Sequence, residues 1–208
     1  MTEIQAILRS VLAMNQGSRL TPELALGIEQ SIVTQVSALR SQDKAIALRG
    51  FVPEQFQDVV FAVERMENLV DEIEPLHHAH WQESESARHE LPYNPNYEGW
   101  VQHERAGSFM VFTVRNATGA LKGYMQMYVG RSNHTGVLLS NEDALFLDPE
   151  VRKGFVCRRF AAYAEKCMRE LGVREIRLSV KNTNGVWKVW TRMGFAATGV
   201  ELIKILED

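Results

Sequence analysis

Along the first forty residues, apolar positions recur at helical spacing. In Thr2–Gln16, Ile4, Ile7, Leu8, Val11 and Leu12 fall on one helical face, and Asn15-Gln16-Gly17-Ser18 breaks the run. Thr21-Pro22-Glu23 reads as a helix start, with an N-cap followed by proline at the first helical position. Leu24, Ile28, Ile32, Val36 and Leu39 form a second stripe. Two such helices cannot bury both stripes against each other alone, so they must pack on the rest of the chain, on a second copy or on another protein. Ser41–Gln57 is ambiguous between strand and helix.

Farther on, the period shortens. Val59–Glu64 is β-branched and apolar and predicts a first strand. A helix follows from Glu67 to about Arg88, with Leu69, Ile73 and Leu76 inward and Pro75 expected to kink or split it. Tyr93–Glu98 is rich in turn residues, and Gly99-Trp100-Val101 opens a short helix to Arg105. Phe109–Val114 and Leu121–Val129 predict antiparallel strands joined at Asn116-Ala117-Thr118-Gly119. Ala144–Leu147 predicts a buried strand closed by Asp148-Pro149. After Arg152-Lys153-Gly154, the residues Phe160, Ala164, Cys167, Met168 and Leu171 mark one helical face that Gly172 ends. Arg174–Lys181 alternates like a strand, Asn182–Gly185 is a turn, and a short helix with Trp187 and Trp190 runs to Met193-Gly194-Phe195. A last apolar strand is expected over roughly Ala196–Leu206.

The turn at 152–154 carries the first chemistry. Glycine allows close approach of a ligand to the backbone, a helix N-terminus presents free N–H groups, and two cations beside it suit a pyrophosphate. An ordinary strand-to-helix turn with solvated charges fits the same residues.

The order of elements, with LFLDPEVRKG at Leu145–Gly154 and NTNGVWKVWTRMGF at Asn182–Phe195, resembles the carboxy-terminal half of the GNAT superfamily of acyl-CoA-dependent N-acetyltransferases. The preceding strand, helix pair and two strands are similar to that family's first half. The resemblance therefore spans residues 56–208 and omits a helical extension over 1–55. It implies an α+β (mixed α/β) fold, a mixed, mostly antiparallel sheet flanked by helices. It also implies acetyl-CoA as co-substrate, without a metal, and direct transfer to an amine on a small molecule or a protein. The residues it assigns to the co-substrate are Leu145, Phe146, Leu147, Arg152, Lys153, Gly154, Phe155, Val156, Cys157 and Trp190. The chain also resembles acetyltransferase-like proteins encoded by phages.

Two positions depart from the family pattern. Arg152 stands one residue too close to Gly154, with Val156 in place of a second small residue. Trp190 occupies the place of the tyrosine that reprotonates the thiolate, and an indole cannot act as that acid. Both departures, with the extra helices, favour a competing class: a GNAT-fold assembly or adaptor protein that has lost turnover.

Acyl transfer to an amine needs a base, and Asp143 stands just ahead of the strand assigned to the thioester, where the family often carries a carboxylate. A surface carboxylate at a strand start is the equal alternative. Its neighbour Glu142 would face the opposite side. His80, Glu83 and Tyr93, near the segment that usually walls the acceptor pocket, are the residues assigned to substrate. His77, His80 and Glu83 also have the helical spacing of metal ligands, but a solvated helix face explains them more simply.

Composition narrows the rest. The 208 residues carry a formal charge of −3, which argues against nucleic acid as a partner. No run is apolar enough to span a membrane, and no signal peptide is visible. Cys157 and Cys167 lie on one helix and read as reduced thiols, so a cytoplasmic location is expected, with a homo-oligomer or a protein partner engaged through the N-terminal helices.

Overall fold

A computed structural model describes residues 3–19, 21–33, 50–85, 92–181 and 185–200, with 202 and 204. Its centre is one six-stranded sheet in chain order: β1 (Glu54–Phe56), β2 (Val59–Glu64), β3 (Phe109–Asn116), β4 (Leu121–Arg131), β5 (Leu138–Leu147) and β6 (Glu175–Arg177). Neighbours from β1 to β5 pair antiparallel, and β5 pairs β6 in parallel. The helices are α1 (Glu3–Met14), α2 (residues 22–33), α3 (Met66–His80), α4 (Tyr97–Arg105), α5 (Val156–Glu170) and α6 (Trp187–Arg192). This is the mixed, mostly antiparallel α+β architecture expected.

Alternation along the strands divides two cores. Phe109, Val111, Tyr124 and Phe146 pack on α3 with Leu69 and Ile73. Met110, Phe112, Met125 and Leu147 pack on α5 with Phe160, Ala164 and Met168. Because both faces are covered, β3 reads as a continuous apolar run rather than an alternating one. Arg115 joins β2, β3 and α3 by bonding Glu64 and Glu72 with contacts of 2.7–3.1 Å. The first amide of α3 donates to the buried Glu104 carboxylate on α4 at 2.9 Å.

Several local readings recur in the coordinates. Thr21 Oγ1 accepts from Leu24 N–H at 3.2 Å, the expected cap of α2. Asn116 and Gly119 close the β3–β4 hairpin, with Gly119 N–H on the Asn116 carbonyl at 2.9 Å. Gly172 ends α5, and Val173 N–H reaches back to Met168 at 3.0 Å.

Others are corrected. Pro75 neither splits nor ends α3, which runs from Met66 to His80 with the proline on its exposed side. Tertiary packing of Leu69, Ile73 and Leu76 outweighs one lost backbone bond. The ambiguous stretch holds β1, and β5 begins at Leu138, before the predicted start. The strand expected over Arg174–Lys181 contracts to Glu175–Arg177. Residues 196–200 form no strand, and most of the remaining predicted C-terminal strand, like the turn 182–184, lies outside the described residues.

Candidate active site

The site begins with a bulge. In the β4–β5 ladder, Gln126 opposes Ala144 and Met127 opposes Glu142, so Asp143 is an extra residue in β5. The insertion puts Asp143 on the α3–α4 side with Ala144, while Glu142 lies on the α5 side beside Met125, Met168 and Trp190. It also coincides with the end of β5–β6 pairing, which stops at Asn141 and Arg177. Beyond that point no described strand pairs with β5 on its β6 side, and the Glu142 carboxylate accepts Ser179 N–H at 3.3 Å. The result is a wedge where β5 runs on past the end of β6, with a carboxylate at its start on each face of the sheet.

Asp143 is an exposed residue whose carboxyl group is nevertheless partly withdrawn from water by the protein around it. Burial raises its pKa above the ordinary aspartate value, and the Trp100 indole N–H, donating to the carboxylate, opposes the rise. The Tyr128 phenol is raised by burial first and by Asp143 second. Behind them, burial lowers the His77 imidazole to about 4, with the Gln126 amide pulling weakly the other way, so this ring is neutral at pH 7. Its Nδ1 is 3.3 Å from the Tyr97 hydroxyl, which in turn is 3.4 Å from that of Tyr93. His80 Nδ1 is 2.8 Å from the Tyr124 hydroxyl, and the His80 ring stacks on Phe146 at 5.3 Å. Among the described residues no group of His, Cys, Asp and Glu converges as a metal site.

At the far end of β5, Pro149–Val151 forms a short 3-10 turn and the chain reverses through Gly154 into α5. Gly154 has φ +59°, and a Cβ there would meet nothing within 4 Å. The left-handed backbone selects glycine, and the space above it is open to a ligand. Phe155, the N-cap, supplies no side-chain acceptor to the first helical turn; Val156 N–H bonds the Lys153 carbonyl at 3.4 Å, and the amides after it suit an outside anion. Lys153 and Phe155 are exposed beside the turn. Val156 is buried in the α5 core, so only its backbone faces the turn, and burial raises the Cys157 thiol pKa.

Apart from those of the Gly154 turn, the residues assigned from sequence thus fall into two groups. Asp143, His80 and Tyr93 lie on the α3–α4 side, joined there by Trp100, Tyr97 and Tyr128. Leu145, Leu147 and Trp190 belong to the α5 core, and Trp190 packs edge-on to Phe195 at 5.4 Å. Arg152 bridges the groups. Its guanidinium makes two bonds of 2.6 Å to Glu83, donates to the Leu147 carbonyl and lies 4.9 Å over the Phe146 ring. Glu83 sits on a π-helical turn, Trp81–Glu85, that prolongs α3, so the pair ties that turn to the Gly154 loop. Sequence reasoning missed Trp100 as the partner of Asp143, because no spacing relates α4 to the β5 bulge. Gly123 was missed too. A Cβ there would lie 2.5 Å from Leu147 Cδ2 and 2.9 Å from the Phe146 carbonyl, so its absence sets how closely β4 supports the end of β5.

By sequence, no protein-family model and no curated protein matches the chain. Solved structures do. A ribosomal-protein-alanine N-acetyltransferase from Brucella melitensis biovar Abortus 2308 is similar over 73% of this chain and 100% of its own, with 15% identity and a TM-score of 0.61. An aminoglycoside acetyltransferase from an uncultured soil metagenomic sample, in complex with sisomicin, is similar over 72% and 97%, with 13% identity and a TM-score of 0.58. A Trypanosoma brucei acetyltransferase covers 72% and 100% at 15% identity, with a TM-score of 0.55. At these identities the likeness concerns the fold, and the fold is that of the GNAT acetyltransferases.

Proposed function

We propose that the protein transfers an acetyl group from acetyl-CoA to an amine by direct attack, with Asp143 as the base. The observation that carries this reading is the wedge: β5 loses its parallel partner where the bulge presents Asp143, and its other end leads into the open Gly154 turn. The unpaired edge of β5 suits the amide groups of a pantetheine arm, which can add to it like a strand. Gly154 and the first amides of α5, with Lys153 beside them, suit the pyrophosphate. These features fit a CoA thioester, which supplies an activated acyl group and a thiolate leaving group.

The chain's own part is to hold and deprotonate the acceptor. An ammonium must lose a proton before its nitrogen can attack the thioester carbon. Asp143 faces the α3–α4 side, where an acceptor would arrive, and its raised pKa makes it a stronger base than a fully solvated aspartate. As the new C–N bond forms and the C–S bond breaks, the nitrogen gives up its second proton to solvent, and the thiolate leaves with the electron pair and takes a proton from solvent. Trp190 donates none, and its place in the α5 core makes it a packing residue. Thiolate is a good leaving group, so the missing acid slows the step without forbidding it.

The adaptor reading draws on Arg152, whose bonds to Glu83 hold it away from any phosphate. Calorimetry with acetyl-CoA and a transfer assay over a panel of amines separate the two. Binding with turnover is the expected result. Binding without transfer to any amine would favour the adaptor, and no binding to folded protein would remove both co-substrate and reaction.

A further inference from the structure

The α3–α4 side of the wedge is more aromatic than proton transfer requires. Trp81 and Tyr93 lie 5.7 Å apart, Tyr97 and Trp100 5.5 Å, and His77 and Tyr97 5.6 Å, measured between ring centroids. Trp81, Tyr93, Tyr97 and Trp100 are all half-buried, so each keeps surface open to solvent while its ring is held by neighbours. The hydroxyls of Tyr93 and Tyr97 meet at 3.4 Å, which fixes the two rings with respect to each other. Trp100, packed on Tyr97, lies close enough to Asp143 for its indole N–H to favour the carboxylate.

The charges on the wall point one way. His77 is neutral at pH 7, because burial lowers its pKa to about 4. The Arg152 guanidinium is neutralised by its paired bonds to Glu83. Burial raises the phenols of Tyr97 and Tyr128, so both stay protonated. Asp143 remains as a carboxylate, and Glu74 lies near enough to Tyr97 to act on its phenol. Aromatic faces carry negative electrostatic potential and attract cations. A neutral alkyl group would gain only apolar contact here, whereas a second cationic centre would gain contact with ring faces and with carboxylate.

We infer that the acceptor is a compact organic dication: one ammonium loses its proton to Asp143 and is acylated, while a second cationic centre rests on the ring wall of Trp81, Tyr93, Tyr97 and Trp100. The inference rests on the acetyltransfer reading for the role of Asp143, and it adds what the acceptor must carry besides its reacting amine. The chemistry balances without a further reactant. The N–C bond forms and the C–S bond breaks; one ammonium proton passes to Asp143 and then to water, the nitrogen gives up a second proton to solvent as the amide forms, the thiolate takes one proton from solvent, and the distal cation is unchanged.

The test compares 1,4-diaminobutane with n-butylamine, which share a four-carbon chain and differ in the distal charge. Transfer from acetyl-CoA and calorimetric binding are measured for each. The diamine is expected to exceed the monoamine by roughly tenfold in kcat/KM and in affinity. Tyr93→Leu should bring the ratio close to one, and Tyr93→Phe, which keeps the ring, should preserve it. Equal transfer to both amines would overturn the inference and leave the proposed reaction standing. Tighter binding of the diamine with no transfer to either would support the ring wall and overturn the reaction. Neither binding nor transfer of either amine would overturn both.

Discussion

At the scale of single residues, two titrating groups make opposite predictions. Asp143 has its pKa raised by burial, so the folded chain holds that proton more tightly than the unfolded chain does. Between the unfolded and the folded pKa, stability therefore falls as pH rises, and above the folded pKa the cost is fully present. Asp143→Asn should thus raise the melting temperature slightly at pH 7 while lowering kcat/KM by roughly a hundredfold or more and removing the acidic limb of the pH profile. A variant equally active at all pH values would exclude Asp143 from the reaction. His77 has its pKa lowered from 6.5 to about 4 by burial, so the unfolded chain takes up the proton first. Stability contributed by the neutral ring is complete above pH 6.5 and is lost as pH falls toward 4, on the order of 3 kcal/mol in all. Urea unfolding at pH 7 and pH 4.5 should show a larger loss for the wild type than for His77→Gln.

At the scale of elements, the loop from β5 into α5 is where a small change should matter most. Gly154→Glu puts a carboxylate into the open space above a left-handed turn, at the positive end of a helix. It should abolish acetyl-CoA binding and cost about 1 kcal/mol of backbone strain. Calorimetry and thermal melting read the two effects separately, and retained binding would place the phosphates elsewhere. The bonds between Arg152 and Glu83 join this loop to the π-helical turn after α3. Both side chains are largely exposed, so the pair contributes little to stability, but it holds the guanidinium back from a phosphate. Glu83→Gln should release Arg152 and tighten acetyl-CoA binding roughly twofold to fivefold. Weaker binding in that variant would mean that the pair shapes the loop rather than competing for it.

At the scale of the molecule, α1 and α2 expose apolar side chains: Leu12 is 60% exposed, Met14 68%, Leu26 55% and Val33 58%. Of these only Leu12 lies on a predicted stripe, whose Val11 is buried, while Leu24, Ile28 and Ile32 of the second stripe are half-buried; the exposed apolar side chains are what invites association. A chain beginning at Gly50 retains all six strands and both cores of the sheet, so it should bind acetyl-CoA and melt cooperatively. Light scattering should then give the full-length chain a mass above that of one copy and the shortened chain the mass of a monomer. Monomeric masses for both would count against association through these helices.

Sequence alone determined the order of elements from Val59 to Phe195, the helices α1 and α2 near the start, and the Gly154 turn; Val36 and Leu39 of the second predicted stripe lie outside the described residues. These features depend on local spacing, caps and glycine, which act within a few residues. It also singled out Asp143 and Trp190 as candidates, because each stands at a fixed offset from a motif; the structure puts Trp190 in the α5 core. Only the tertiary structure decided the rest. The bulge at Asp143 arises from pairing with β4, the neutrality of His77 from burial under Tyr97, Trp100 and Tyr124, and the capture of Arg152 from a helix turn distant in sequence. The site is built from contacts between elements, and hydrophobic periodicity says which face of an element is buried but not which neighbour buries it.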